Sequence, residues 1–504
     1  MSVHLPILLL LAPFTGAWLV FGVGFFSQRF SRWATYFFLF LPLLLAWEAF
    51  PKILARGPWH YSLGGWAPPW GIELLVTPFS LLLACFVLGI AAIAFYQLGN
   101  FGAMAKLEPS REALGGPLFL LLTGSLLALL WARDGFTLYL FLEIIFLVGA
   151  GLILCVNWQG WWEGFCFLLA GSAGASLLLA GFLFLYASTG TLHLDDLLAQ
   201  LFITKNVSLA LAAGLLLTAA WGFLFLFPTP LLYERFLREA PHFLSGFFSG
   251  VLARVGVYVL FLILFFVLNV PGLTTPGWLE TGEHLLVFAF LAGFFLAARQ
   301  KDFLLCAAYL GAAQLGFILL GFVLGNKSGL AGSLMELLSQ MPATMGLFLA
   351  AGLLGPKPGD SQPLSRWAGV GRRDFPVALC LVIFSFSILG VPPTGGFFGK
   401  FYLFQGALDK KDWFFLAGLG LVLLLNLASA ARLTWLLFEH PQSSQSPVLL
   451  APKAKAPLYL LAGAVLVLGL FHESVLKDYI EPALPKAFLK TPAPNVPFLG
   501  REVE

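Results

Sequence analysis

Uncharged apolar runs of about 20 residues recur along almost the whole chain, and a helix of that length crosses the hydrocarbon core of a bilayer. Backbone inside a bilayer must satisfy its own hydrogen bonds, so such segments form helices or closed β-barrels. Barrel strands would alternate apolar and polar residues over about 10 positions, whereas these runs are continuously apolar. Of the 504 residues, 60% are hydrophobic and 11% are charged, which no soluble fold accommodates. The chain is therefore predicted to be an all-α, polytopic membrane protein.

The apolar runs predict about 14 transmembrane helices. The predicted spans are 6–26, 34–50, 74–96, 114–132, 136–155, 161–187, 209–227, 243–268, 284–298, 303–324, 330–354, 377–391, 414–438 and 458–471. Odd-numbered loops carry about 14 lysines and arginines and even-numbered loops about 7, which places the odd loops in the cytoplasm. We therefore predict a multi-pass protein of the cell (inner or cytoplasmic) membrane with both termini on the outer side.

Cysteine, histidine and charge patterns exclude several other classes of function. None of the five cysteines forms a CxxC pair, and the seven histidines are scattered without HxxxH spacing. We therefore expect no metal site, no cofactor, and no catalytic or redox site in this chain. A net charge of +3 without a basic stripe excludes nucleic-acid binding.

Two breaks rich in glycine and proline interrupt the predicted helices. Pro228 and Pro230 end the seventh span, and Pro392 and Pro393 lie inside the twelfth. Proline removes a backbone donor and clashes with the preceding turn, so a helix must stop or break there. Breaks five spans apart point to an internal repeat, and in transporters such breaks mark the ion path. Ordinary loops, or a kink with a packing role, would give the same pattern.

Ionisable residues inside the predicted spans are the best pointers to function, because an ion at mid-bilayer is costly unless it is paired or hydrated. Four candidates for a proton or ion path are Glu143, Arg254, Glu336 and Lys400. Glu143 has no charged residue three or four positions away, so its partner must come from another helix or from water. Lysine and glutamate can exchange protons, whereas Arg254 stays charged and can anchor a carboxylate but cannot relay a proton.

Each candidate also has a structural interpretation. Glu143 would be a neutral, hydrogen-bonded acid in the core. Lys400 would be a lysine that extends to the membrane interface. Arg254 would belong to a structural ion pair, and Glu336, one or two turns into the eleventh span, would be an interface residue.

Four motifs resemble one known family. The segments 134–143, 240–258 and 390–401 are similar to signatures of the antiporter-like membrane subunits of respiratory complex I (NADH-quinone oxidoreductase) and of Mrp cation/proton antiporters. The segment 63–72 resembles the D-type subunits of Mrp antiporters, one branch of that superfamily. The resemblance covers nearly the whole chain, in the expected order and spacing.

The resemblance implies two inverted five-helix repeats, in which helices 7 and 12 are broken. It implies segments 1–110 (helices 1–3), 111–270 (helices 4–8), 280–440 (helices 9–13) and 441–504 (helix 14 and a polar tail). It also implies a chain of buried charged groups and water across the membrane. The implied partners are other membrane subunits of an Mrp-type or complex I-like assembly, the lipid bilayer, protons and Na⁺ or another cation.

Several positions depart from the family pattern, since uncharged residues stand where the family has charged ones. These positions are Thr77, Phe223, Leu304, Leu305, Gln340 and Thr344. Two functional hypotheses follow. The chain is either an ion-translocating subunit that uses Glu143, Lys400 and Arg254, or a degenerate scaffold subunit that completes an assembly without conducting a full proton path.

Overall fold

The computed structural model describes residues 4–105, 109–157, 160–201, 208–223, 237, 240–268, 276–354, 362–439 and 452–485. The predicted break at Pro228 and Pro230 lies outside the described residues. The side chain of Phe223, the last residue of its helix, is likewise outside them.

Most helices of the described ranges follow the predicted apolar runs. They are α1 (Leu5–Gly24), α2 (Gln28–Arg56), α3 (Pro78–Ala105), α4 (Pro109–Trp131), α5 (Gly135–Val156), α6 (Trp161–Thr189), α7 (Leu194–Leu201), α8 (Ser208–Phe223), α9 (His242–Phe266), α10 (Pro276–Arg299), α11 (Phe303–Leu324), α12 (Lys327–Leu354), α13 (Phe375–Leu389), α14 (Gly395–Lys410), α15 (Trp413–Phe438), α16 (Pro452–Leu470) and α17 (His472–Ala483). Two single turns of helix, Leu364–Trp367 and Val370–Arg373, lie between α12 and α13.

The helical membrane fold is confirmed. Ten single helices in the described ranges are long and apolar enough to cross a bilayer, and α16 with α17 forms a further pair bent by 71°. Leu286–Arg299 and Phe375–Leu389 are shorter apolar helices. The total of 14 spans stays a prediction.

A two-stranded antiparallel hairpin joins α2 to α3. Strand β1 (Trp59–Ser62) pairs with β2 (Glu73–Val76). The predicted third span began at residue 74, but α3 begins only at Pro78, because Thr77 and Ser80 bond each other's backbone N–H at 3.1 and 2.9 Å and cap the helix. The chain is therefore helical except for this hairpin within the described residues.

Two helices, α5 and α11, begin in the same way. Asp134 caps α5 by accepting the Thr137 N–H at 2.8 Å, and Asp302 caps α11. Each aspartate also forms a backbone bridge to the segment after the next helix of its half, Asp134 with His193 and Asp302 with Pro363. This repeated device supports two related halves; the segment boundaries near 110, 270, 280 and 440 remain predictions.

The predicted break in the twelfth span is present. Helix α13 ends at Leu389, Gly390 follows with φ of +80°, and α14 begins at Gly395. Helices α9, α11 and α12 are almost wholly surrounded by protein, whereas α2 and α15 are largely exposed on the outside of the bundle. The break in the chain therefore lies beside the most buried helices of the second half.

Candidate ion-translocation site

Glu336 and Lys400 form an ion pair that is buried inside the helical bundle. The Lys400 Nζ contacts the Glu336 Oε1, and the two side chains are 4% and 0% exposed. Glu336 lies on α12, and Lys400 lies on α14 shortly after the break. Removing a charge from solvent costs free energy. When two opposite charges are buried in contact, their attraction offsets part of that cost, whereas a single buried charge has no such compensation.

Glycines let the backbones of α12 and α14 touch, and this contact creates the pair. A Cβ on Gly399 would lie 2.6 Å from the Glu336 Oε2 and 3.0 Å from the Glu336 backbone nitrogen. A Cβ on Gly332 would lie 2.7 Å from the Leu403 nitrogen. Side chains at these positions would separate the two helices, so the small residues position Glu336 against Lys400.

Gln340 lies one turn after Glu336 on the same face of α12. Its side-chain amide donates to the Glu336 Oε1 at 2.8 Å and to the Ser387 carbonyl at 3.4 Å. This residue therefore connects the carboxylate to the last turn of α13, where the helix breaks. Gln340 stands where the family has a charged residue, and here it is a direct partner of the pair.

Gln314 on α11 makes the matching connection for the lysine. Its Oε1 accepts from the Lys400 Nζ at 3.4 Å, and its Nε2 donates to the Ile388 carbonyl at 3.2 Å. The Lys400 Nζ also lies 5.3 Å from the centre of the Phe317 ring, a cation–π distance. Both members of the ion pair are thus tied through an amide to the end of α13.

Arg254 on α9 extends this arrangement across the protein. Its guanidinium donates to the Ser249 carbonyl, to the Gly311 carbonyl at 3.4 Å and to the Thr344 hydroxyl at 3.0 Å. The side chain is 0% exposed. Thr344 lies two turns after Glu336 on α12, so the fixed positive charge of Arg254 acts on the same helix face.

Six buried side chains form a polar row of two hydrogen-bonded groups, which adjoin where Gln340 and Thr344 lie one turn apart on α12. We call this the central row; its members are Lys400, Gln314, Glu336, Gln340, Thr344 and Arg254. Glu336 Oε2, Gln340 Oε1 and Arg254 Nε lack a hydrogen-bond partner in the part of the chain that the structure describes. Buried polar atoms of this kind are where an internal water binds, so the row can connect through water.

Glu143 stands apart from the central row. It is half-buried on α5, and its Oε2 accepts a hydrogen bond of 2.6 Å from the Ser172 hydroxyl on α6. Its partner therefore comes from another helix, which is one of the two sources that the sequence left open. Across the described ranges, no hydrogen bond or ion pair links Glu143 to the central row.

Burial decides between the interpretations of the predicted residues. Glu336 is not an interface residue, because its side chain is 0% exposed. Lys400 is paired and buried, so it does not extend to the membrane surface. Among the residues that the structure describes, Arg254 donates to two carbonyls and a hydroxyl and to no carboxylate. The pairing of Glu336 with Lys400 was missed because the two lie 64 positions apart in sequence.

These features define a multi-pass helical membrane subunit with a buried charge pair beside a broken helix. Residues 132–425 match the family described as NADH:quinone oxidoreductase/Mrp antiporter, transmembrane. The chain belongs to this family, as its motifs predicted.

Curated relatives agree with the family. The chain is 31% identical to NADH-quinone oxidoreductase subunit N of Desulforudis audaxviator, over 96% of this chain and 99% of that protein. It is 28% identical to F(420)H(2) dehydrogenase subunit N of Methanosarcina mazei, over 65% of this chain and 67% of that protein. The more specific resemblance to the D-type Mrp branch stays a prediction.

Solved structures share the fold at lower identity. A chain of the archaeal membrane-bound sulfane sulfur reductase aligns with a TM-score of 0.86 and 22% identity, covering 96% of this chain and 97% of that one. A chain of the Mrp complex from a Dietzia species aligns with a TM-score of 0.80 and 21% identity, covering 95% and 96%. A chain of respiratory complex I from Thermus thermophilus gives 0.74 and 21%, covering 94% and 98%.

Proposed function

We propose that this chain is the proton- or cation-translocating membrane subunit of a multi-subunit Mrp-type or complex I-like assembly. The Glu336–Lys400 pair carries this proposal, since a glutamate and a lysine in contact at a helix break form a site where a proton can be bound and released. Family membership supports it, because the matched relatives and structures belong to complexes of this kind.

The pair can work as a proton-binding unit because a carboxyl group and an amino group are in direct contact. When another charge approaches, the proton on Lys400 can pass to Glu336 and leave both neutral, or can leave along water toward the break. Gln314 and Gln340 cannot carry the proton, but they hold both groups and the carbonyls of α13 in one geometry. Lys400 and Glu336 are thus the titrating groups of the central row.

Arg254 has a different part in this proposal. Arginine remains protonated, so Arg254 acts as a fixed positive charge beside the pair. The Thr344 hydroxyl holds the guanidinium against α12, where a family member would carry its own charge.

In this proposal, proton transfer at the Glu336–Lys400 pair is triggered when a charge moves in the first half of the chain or in a partner subunit. Glu143 is the acid of the first half that would respond to such a charge. Its connection to Ser172 holds the carboxylate between α5 and α6 and leaves other lone pairs for water. We place the proton path through Glu143, Glu336 and Lys400, with water after Glu143 and with Arg254 beside the path as a fixed charge.

A scaffold function is favoured by one observation. The positions where the family has basic residues after Asp302 are Leu304 and Leu305, whose apolar side chains carry no charge. Their backbone N–H groups donate to the Asp302 Oδ1 at 3.0 and 3.2 Å. If the chain is a scaffold, the Glu336–Lys400 pair is a stabilising contact and the transport path runs through other subunits.

Transport by the intact assembly in membrane vesicles distinguishes the two functions. Lys400→Ala should abolish coupled proton transport while the assembly still forms. The matched control is Lys327→Ala, at the start of α12, whose lysine is 44% exposed and pairs with Glu481 at 2.9 Å. Normal transport in Lys400→Ala would favour the scaffold.

We propose further that the chain resides in the cell (inner or cytoplasmic) membrane with both termini on the outer side, as the loop charges predict. Cysteines introduced in the first and the last residues should react with a membrane-impermeant thiol reagent in intact cells. Reaction only after the cells are opened would reverse the orientation.

A further inference from the structure

We infer that Glu73, His193 and Asp195 form a binding site for a divalent transition-metal cation of the Zn²⁺ type. These three residues each offer one ligand atom, and the atoms all lie within 4.8 Å of one another. They lie outside the membrane-spanning helices, where the β hairpin meets the connections that follow α4 and α6. This site is separate from the central row and independent of its function.

Backbone contacts fix the three segments that carry the ligands. Strand β2 forms a bridge from Leu74 to Ala132, in the connection between α4 and α5. That connection in turn forms a bridge from Asp134 to His193. The hairpin and both connections therefore form one rigid unit, so the ligands converge through backbone hydrogen bonds rather than through chance surface contacts.

The side chains in this unit have the chemistry of metal ligands. Glu73 is 7% exposed, and its two oxygens each face an imidazole, the His193 Nε2 at 2.7 Å and the His60 Nδ1 at 2.7 Å. Imidazole nitrogen and carboxylate oxygen are preferred ligands of Zn²⁺, whereas Mg²⁺ prefers oxygen ligands and water. His60 is 60% exposed, so the cluster opens to water and a cation can enter.

One buried nitrogen in the cluster has no partner. His193 is 8% exposed, and its Nδ1 makes no hydrogen bond to the described residues. The nearest carboxylate oxygen, of Asp196, is 3.6 Å away, which is too long for a hydrogen bond. The His193 ring therefore lies between the carboxylates of Glu73 and Asp196, and one of its two nitrogens, Nδ1, has no hydrogen bond to the described residues.

The charge of the cluster also favours a divalent cation. Three carboxylates, Glu73, Asp195 and Asp196, stand against one guanidinium, so with neutral imidazoles the formal charge is −2. The guanidinium belongs to Arg133, which donates one hydrogen bond to each carboxylate oxygen of Asp195, at 2.8 Å to Oδ1 and at 3.2 Å to Oδ2. Each carboxylate oxygen keeps a further lone pair, so Arg133 can orient Asp195 while the same group binds a cation.

Metal binding to the purified, assembled complex tests this inference. After treatment with a chelator, Zn²⁺ is titrated in competition with a zinc-sensitive dye, and one Zn²⁺ per chain should bind. His193→Gln and Glu73→Gln should each weaken binding at least tenfold. Excess Mg²⁺ should not compete, and Co²⁺ in the same site should give the visible absorption of nitrogen and oxygen ligation.

A matched control is His4→Gln, because His4 is an exposed histidine that bonds the Tyr61 hydroxyl of the same hairpin at 3.0 Å but lies outside the cluster. It should bind Zn²⁺ like the wild type. Absence of a stoichiometric Zn²⁺ in the wild type, or wild-type affinity in His193→Gln, would overturn the inference. If His193→Gln does not assemble, Asp195→Asn replaces it, since that side chain is 43% exposed; unchanged affinity there is equally decisive.

Discussion

Removal of one member of the Glu336–Lys400 pair should destabilise the protein much more than removal of both. Both side chains are buried, and breaking such a pair costs about 3–5 kcal/mol because a buried charge is left alone. The Coulomb estimate agrees, since two charges about 4 Å apart at an effective dielectric constant of about 20 attract by about 4 kcal/mol. Lys400→Met and Glu336→Gln should each lose about this much, while the double variant loses less than either.

Reversible unfolding in mixed micelles measures the free energies of the four proteins in this cycle. The control cycle uses Lys327→Met and Glu481→Gln, whose charges pair at 2.9 Å with side chains 44% and 32% exposed. An exposed pair should couple by about 0–1 kcal/mol. A coupling energy of the buried pair no larger than that of the control would refute the argument from burial.

Three shorter predictions concern the residues around the pair. Gly399→Ala should cost about 1–3 kcal/mol in unfolding free energy and reduce transport, because its Cβ would lie 2.6 Å from the Glu336 carboxylate; Gly420→Ala, with no atom within 4 Å of its Cβ, should do neither, and equal effects would contradict the packing argument. Glu143→Gln should lose vesicle transport and Glu143→Asp should keep part of it, whereas wild-type transport in the glutamine variant would make this acid structural. Arg254→Lys should retain part of the transport that Arg254→Gln loses, and equal rates would show that the fixed charge is irrelevant.

The membrane fold could be read from sequence because its signal is local. A run of about 20 apolar residues by itself indicates a membrane span, and the prolines after Gly390 by themselves indicate where a helix must end. The hairpin was missed because strand β2 continues directly into the apolar run of α3, and the capping pair of Thr77 and Ser80 is a weak signal within such a run.

The candidate site was only half predictable, because its signal is not local. Lys400 and Arg254 could be chosen one at a time as costly charges in apolar helices. Glu336 could be chosen in the same way, but its pairing with Lys400 could not be predicted, because that contact depends on how closely α12 and α14 pack. Gln340 and Thr344 illustrate the difference, since loss of charge at both positions looked like decay of the path and the structure shows each as a hydrogen-bond partner of a charged residue.

Comparison of the two halves shows where this protein has kept its polar chemistry. Both halves use the same aspartate cap and backbone bridge, at Asp134 and at Asp302, so the repeated scaffold is intact in each. The second half carries the buried Glu336–Lys400 pair, whereas Glu143 in the first half has a hydroxyl as its partner. A scaffold chain would have no reason to hold a glutamate and a lysine in the bundle at the cost of desolvation, because apolar residues of similar volume would pack there as well. The position of the pair beside the break therefore favours an ion-translocating subunit in which protons are exchanged in the second half. Variants of Glu336 and Lys400 are the ones that distinguish this function from a scaffold.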